Sequence, residues 1–523
     1  MDITVTEATA NQLSRAKTNL MKKNKKISAS AGGRARKTIA TMLVLGVSGS
    51  AGASEWKLGA SVSARETYTD NVTLSAASVA KSDWITELRP TFTAKKDGAR
   101  LKVNASYSNQ NLFYANDSRL NKTYHQLNAR ANAELLENEV FLDTTASISQ
   151  ASISPLGASG VDNSSATNNV TSVSSVTVSP YWIHRFGSTA TLDARYTISD
   201  VSNDSAAFAS STNSAINVIL ASGSAFGRVS WGLNFSEQTV NYQARSDASF
   251  TTASASLGYL VSSRFRLTGT VGSENNSYES SAGAKTGGAF WNVTGSWAPS
   301  TRTALDLGFG HHYYGDTWNM KFKTRGAYSE WTADYSEAVT TSNSQFERNS
   351  STPVRITNTG RASTLVLSNN YLSNQIFLSK RFATAFVWKK GKHDFSLGAN
   401  HSTQTTKIDA SANSNVQLTG TSVNRSFADV LLINSEVKQI AVNASWKLRW
   451  TSLISSNLSA SLMRSDYLSL GRQDTVSTLQ FGLDRKFSPK LTGGVSLRRQ
   501  ARDSNQDADY TENALSGSVT YTF

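Results

Sequence analysis

Residues of opposite character take turns along much of this chain. Ile440, Val442, Ala444, Trp446, Leu448 and Trp450 alternate with Ala441, Asn443, Ser445, Lys447 and Arg449. The split recurs at Leu479, Phe481 and Leu483 against Gln480, Gly482 and Asp484. It recurs at Phe395, Leu397 and Ala399 against Asp394, Ser396 and Asn400, and at Trp291, Val293 and Trp297 against Asn292, Thr294 and Ser296. Successive side chains of a strand point to opposite faces, so a period of two predicts strands with one greasy and one polar face. A soluble sandwich gives the same alternation, so the pattern alone does not choose between sandwich and barrel.

The connections between the strands carry more. Tight turns are predicted at Lys96-Asp97-Gly98, Glu137-Asn138, Arg185-Phe186-Gly187, Ser262-Ser263, Pro299-Ser300-Thr301, Lys390-Gly391, Thr451-Ser452 and Ser488-Pro489. Between them lie longer polar connections at 108–123, 149–171, 404–436 and 465–474. Short connections on one side and long ones on the other are the arrangement of a transmembrane barrel. Laid down with that parity, the chain predicts an all-β, antiparallel, up-and-down barrel of about 22 strands, with 18 to 22 and an even number acceptable. Both termini then fall at the short-turn end, which in an outer-membrane barrel is periplasmic. Closure is required because lipid offers no partner to an unpaired sheet edge.

The end of the chain sharpens this expectation. Leu515, Gly517, Val519, Tyr521 and Phe523 alternate with Ser516, Ser518, Thr520 and Thr522, and the last residue is aromatic. Such a strand resembles the signal read by the outer-membrane assembly machinery, with Leu515, Val519, Tyr521 and Phe523 as its apolar positions.

The beginning of the chain predicts an address. A basic stretch from Met21 (KKNKKISASAGGRARK) precedes a short apolar run, Thr38 to Val47, and the small residues Ala51-Gly52-Ala53. A basic region, a run of about ten apolar residues and a small-residue site together predict a secretory signal peptide over 21–53. Cleavage is expected after Ala53. Residues 1–20 read as an over-long start, and 54–523 as the barrel.

Composition narrows the alternatives. Only 39% of the 523 residues are hydrophobic, and no run is long enough for a spanning helix. Aromatic residues at 9% are too many for a disordered chain. There is no cysteine, which removes disulfides, thiolate metal sites and cysteine nucleophiles. The first 53 residues hold nine basic and two acidic residues, half of the formal charge of +14. The rest is spread thinly, which argues against a nucleic-acid partner. The expected partner is instead the lipid of a Gram-negative outer membrane.

The motif Arg65-Glu-Thr-Tyr-Thr-Asp-Asn-Val-Thr-Leu-Ser75 resembles outer-membrane proteins associated with the PEP-CTERM/exosortase system. The resemblance continues through Asp83-Trp-Ile-Thr-Glu-Leu-Arg-Pro90 and the stretch Leu101 to Gln150, including Tyr124-His-Gln-Leu-Asn128 and Ala131-Asn-Ala-Glu-Leu135. It returns at Tyr335-Ser-Glu337. It covers most of the mature chain with strand patterns, not catalytic signatures. It implies a cell-envelope role near exopolysaccharide, with the polysaccharide or its export proteins as partners, and it transfers no active site.

Candidate chemistry is sparse. The six histidines (His125, His184, His311, His312, His393 and His401) have no metal-ligand spacing, and no nucleophile or nucleotide motif is present. The expectation is therefore no catalytic residue, no metal, no cofactor and no enzyme. His311-His312 and the following Tyr313-Tyr314 read as part of an aromatic girdle at the membrane surface. Alternation places Lys102, Arg130, Arg266, Lys447, Arg449, Lys486 and Arg498 in the lumen, with Glu134, Asp143, Asp306 and Asp484. Seven basic against four acidic groups favour anions unless the charges pair across the lumen. Two functions compete: a porin-like or export-assisting channel, and a closed structural or surface-binding barrel plugged by its own loops, such as 404–436. A barrel-embedded enzyme is the third class. A plugged receptor is disfavoured because Trp56 to Thr67 already reads as strand.

Overall fold

The computed structural model describes residues 55–523 apart from 206–207, 244–245, 279–284, 342–343, 345–372, 374 and 407–435. The expected signal peptide at 21–53, the extension 1–20 and most of the connection 404–436 lie outside the described residues.

Twenty-two strands follow one another. The first eight are β1 Lys57–Thr69, β2 Asp83–Asp97, β3 Leu101–Tyr114, β4 Lys122–Leu136, β5 Val140–Ser152, β6 Val170–Phe186, β7 Ala190–Asn203 and β8 Ser211–Ser222. Then come β9 Val229–Tyr242, β10 Ala248–Ser262, β11 Phe265–Ser277, β12 Gly287–Ser300, β13 Thr303–His312, β14 Gly315–Arg325 and β15 Ser329–Thr341. The rest are β16 Ile376–Lys390, β17 His393–Thr406, β18 Glu436–Arg449, β19 Ile454–Tyr467, β20 Arg472–Lys486, β21 Leu491–Ser504 and β22 Tyr510–Thr522. Each pairs antiparallel with its neighbours in sequence, and β1 pairs with β22 from Ser61↔Thr522 to Thr69↔Ala514. The Phe523 amide adds a bond to the Ala60 carbonyl at 3.0 Å. The sheet thus closes on itself, each strand pairing on both sides over at least part of its length. This is the expected closed barrel at the upper bound of the expected strand count.

All eight predicted tight turns lie at one end, together with the start of β1 and the end of β22. Three of these turns use left-handed backbone, at Asn138 (φ 58°), Gly187 (φ 55°) and Gly391 (φ 59°), residue types that tolerate it. The long connections lie at the other end, the mouth. Two of them are less than half the expected length, because β3 runs on to Tyr114 and β19 to Tyr467. Gln110, Leu112 and Tyr114 alternate inward above the greasy band and are buried there, so a polar stretch that reads as loop is strand.

The outer face carries the apolar residues. Leu479, Phe481 and Leu483 are 38–51% exposed, whereas Thr478 on the opposite face of β20 is buried. In water a continuous apolar surface of this kind would be an aggregation site; against lipid it is the expected coat. Trp182, Trp231, Trp297, Trp331, Trp388 and Trp446 each stand within four residues of a strand end at a short turn, and Trp56 and Trp450 lie just beyond such ends. Tryptophan concentrates where hydrocarbon meets headgroups. Among the described residues, no helix is long and apolar enough to cross a membrane.

Candidate functional site

The connection between β5 and β6, residues 153–169, crosses the lumen. Leu156 packs with Phe377 on β16, Val437 on β18 and Tyr467 on β19, all nearly fully buried. β16 stands eleven strands round a 22-stranded barrel from β5, on the opposite wall. The Tyr467 hydroxyl donates to the Pro155 carbonyl at 2.9 Å, and Arg472 Nη2 to the Leu156 carbonyl at 2.8 Å. Gln500 Nε2 donates to Ser159 O at 2.7 Å and receives the Val161 amide on Oε1 at 3.2 Å. On the return path the Tyr114 hydroxyl donates to Ser164 O at 3.0 Å, and the Ala166 amide to Val72 O at 2.7 Å. A peptide segment in the lumen needs partners for its backbone groups, and inward side chains of β3, β19, β20 and β21 supply them.

Asp162 lies at the centre of this segment. Its Oδ2 is 2.9 Å from Arg498 Nη1 and 3.6 Å from Arg65 Nη1. Ser164 adds hydrogen bonds from its amide and hydroxyl. Burial alone would raise the Asp162 pKa, but the Arg498 and Arg65 guanidiniums outweigh it and hold the carboxyl well below the usual carboxylate range. Arg498 also grips Glu512 at 2.8 Å, which is 1% exposed. Arg65 and Arg89 flank Glu87 at 3.7 and 2.9 Å. Three arginines and three carboxylates from β1, β2, β21, β22 and the crossing segment thus form one network. A second cluster joins Arg472 to Asp474 at 2.8 Å and both Arg472 and Arg502 to Asp507, at 3.1 and 2.9 Å. These two clamps hold opposite stretches of the same segment.

A second structure intrudes from the other side. β15 pairs with β14 only from Arg325↔Glu330 to Met320↔Tyr335, whereas its pairing with β16 runs on to Thr341↔Ile376. Beyond Tyr335 the β15–β16 ribbon leans inward. Ile376 and Val339 pack against Val240, Ala248 and Phe250, which face the lumen from β9 and β10. Phe377, on the ribbon's other side, meets Leu156. Segment and ribbon therefore touch in the middle of the mouth.

All eleven lumen candidates stand on the inward face by strand register. Only Arg498 joins the crossing segment. Arg449 pairs with Asp394 at 2.8 Å and Asp143 with Arg195 at 2.9 Å. Arg266 donates to the Ser230 hydroxyl at 2.6 Å, and Glu134 accepts from the Asn138 amide in a short turn. Lys102, Asp306 and Lys486 make no ion pair among the described residues. Arg130 on β4, Lys447 on β18 and Asp484 on β20 face the lumen from separate parts of the wall. Leu515, Val519, Tyr521 and Phe523 point outward from β22 and its end and are 42–68% exposed.

The girdle expectation for residues 311–314 needs correction. His311 faces outward beside Asp316, but His312 faces the lumen, stacked on Phe290 at 4.8 Å with its Nδ1 3.0 Å from Glu274. The two-residue turn of Tyr313 and Tyr314 follows it inward. Sequence reasoning also missed Arg65, Glu87, Asp162, Arg472 and Glu512. The available signals were Pro155-Leu156, a large apolar residue beside proline in a mostly polar connection, and Asp162 within it.

No family model matches the chain, and no curated protein is similar to it in sequence. Solved structures do resemble it. The FrpB iron transporter from Neisseria meningitidis matches at a TM-score of 0.50 and 10% identity, over 89% of this chain and 82% of that one. The siderophore receptor PirA from Pseudomonas aeruginosa matches at 0.44 and 8%, over 89% and 80%. The outer membrane protein opdK from the same organism matches at 0.34 and 9%, over 89% and 99%. At these identities the likeness is one of fold. The closed 22-stranded barrel with a greasy outer coat is an integral protein of a Gram-negative outer membrane.

Proposed function

We propose that this barrel is a passive channel whose mouth is held shut by residues 153–169 and opens when that segment leaves its clamps. The observation that carries this reading is the crossing of the lumen from β5 to the Leu156–Phe377 contact. A permanently structural plug would be served well by apolar packing. Here the segment is held largely by charged and hydrogen-bonded clamps on its carbonyls and on Asp162, interactions that water and ions can replace when it swings out. The loop expected to plug the barrel, 404–436, lies mostly outside the described residues and has no part in the proposal.

In this reading the short-turn end and both termini face the periplasm, and the strand ending at Phe523 is what the assembly machinery engages. The inward lysines and arginines below the mouth favour anionic solutes once it opens. An export-assisting role in exopolysaccharide or PEP-CTERM/exosortase envelope biology rests on the strand motifs at Arg65–Ser75 and Asp83–Pro90. No catalytic role is proposed. Liposome swelling compares the intact chain with one lacking 155–167. The account expects slow sugar uptake through the first and fast uptake through the second. Equal rates for both would leave the structural-barrel reading standing.

A further inference from the structure

The inward lean of the β15–β16 ribbon leaves a cavity of about 490 Å³ between it and the wall from β8 to β13. It is separate from the β5–β6 crossing and from every lumen charge expected from the sequence. We propose that this cavity binds a small organic ammonium ion.

Three features lead there. First, the cavity holds two shielded carboxylates, Glu274 with its side chain 14% exposed and Glu337 at 2%. Lys380 neutralises Glu337 at 3.0 Å, and a tyrosine hydroxyl (Tyr335) donates to the same group at 2.7 Å. Among the described residues, Glu274 has only His312 on Oε1, and its buried Oε2 accepts no hydrogen bond. A shielded carboxylate with an idle oxygen and no formal cation is a site for a charged donor.

Second, part of the remaining wall is aromatic, with Phe250, Tyr313 and Tyr314 beside His312. Phe250 stacks on Tyr278 at 5.7 Å, and Tyr314 stacks on His312 at 5.3 Å. Aromatic faces beside a carboxylate are what recognise ammonium groups, through cation–π attraction added to the ion pair. Third, the tyrosines of the connections stay neutral donors. The Tyr278 and Tyr313 hydroxyls are 3.1 Å apart, and burial, aided by the Glu274 charge, pushes Tyr313 and Tyr314 far above the usual phenol range. A negative field in a partly aromatic cavity of drug-sized volume repels anions and draws amines.

The test is calorimetry on the full-length barrel in detergent, which does not depend on whether the channel conducts. The probes are 2-phenylethylammonium, its neutral counterpart 2-phenylethanol and the anion 3-phenylpropionate. The ammonium ion is expected to bind, and the other two not. Glu274→Gln keeps the shape and should weaken binding about tenfold or more, since one charge-assisted bond is lost. Phe250→Leu removes an aromatic wall and should weaken it several-fold. Both variants are checked for folding by heat-modifiable gel mobility, and if one fails to fold the other still decides. Binding of the alcohol or the acid as strong as the amine's, undiminished binding in the folded variants, or no amine binding overturns the proposal.

Discussion

Replacing Arg498 by glutamine should unlock the mouth. Arg498 joins the crossing segment to the wall through Asp162 at 2.9 Å and holds Glu512 at 2.8 Å, with only 9% of its side chain exposed. Removing one member of a buried ion pair costs about 3–5 kcal/mol, because the remaining charge is left in a poor environment. The Asp162 side chain is 34% exposed once the segment is docked, so part of its charge is already solvated. The low end, about 3 kcal/mol, therefore applies to the docked state. Undocking takes Asp162 back to water, so this penalty falls on the closed mouth more than on the open one. At 1.4 kcal/mol per decade, the open-to-closed ratio rises on the order of 100-fold. Single-channel recording in planar bilayers measures that ratio as the fraction of time spent conducting. Asp162→Asn should matter less in the Arg498→Gln background than in the parent, since only Arg65 at 3.6 Å is left to pair with it. Open fractions for Arg498→Gln within about twofold of the parent, with the barrel intact by gel mobility, would refute the clamp.

Tyr467→Phe deletes the hydroxyl bonded to the Pro155 carbonyl, worth about 0.5–1.5 kcal/mol, so the open fraction should rise a few-fold in the same recording. Acid should matter late. Asp162 titrates below its unfolded value, so its contribution is complete above the ordinary carboxylate pKa of about 3.9 and fades as pH falls below that value toward the folded one. The open fraction should be flat from about pH 8 to 5 and rise only below about pH 4; a midpoint near pH 6 would implicate a histidine instead. Phe481→Arg, on the lipid face, should cost about 2–4 kcal/mol if it sits near the bilayer midplane. Gln480→Arg, on the lumen face of the same strand, should assemble normally, as read by the folded fraction on a gel without boiling.

The barrel was legible from the sequence because the physics that makes it acts residue by residue. Lipid outside and water inside impose alternation on each strand, so Trp446 and Lys447 declare opposite faces without any tertiary knowledge. Tight turns declare themselves through Gly391 and Asn138. The mouth was not legible, because its contacts join residues hundreds of positions apart. Nothing local in Asp162 says that it will meet Arg498 or that Leu156 will reach Phe377. The alternation rule also fails where lipid is absent. Gln110 and Tyr114 lie above the greasy band, and the polar stretch around them reads as loop. The ribbon of β15 and β16 lets residues such as Val339 and Ile376 leave the lipid face and turn into the lumen. That departure depends on where β14 stops pairing with β15, which no period in the sequence marks.

The central claim is that residues 153–169 close the lumen by docking on its far wall. The chain has no cysteine of its own, so a Leu156→Cys and Phe377→Cys pair can be oxidised without competition. Conductance of this double variant, recorded before and after reduction in the same bilayer, is the direct measurement. The account predicts a bridge that keeps the oxidised barrel shut and openings that return when the bridge is cut. An oxidised, cross-linked barrel that conducts as freely as the reduced one would contradict it.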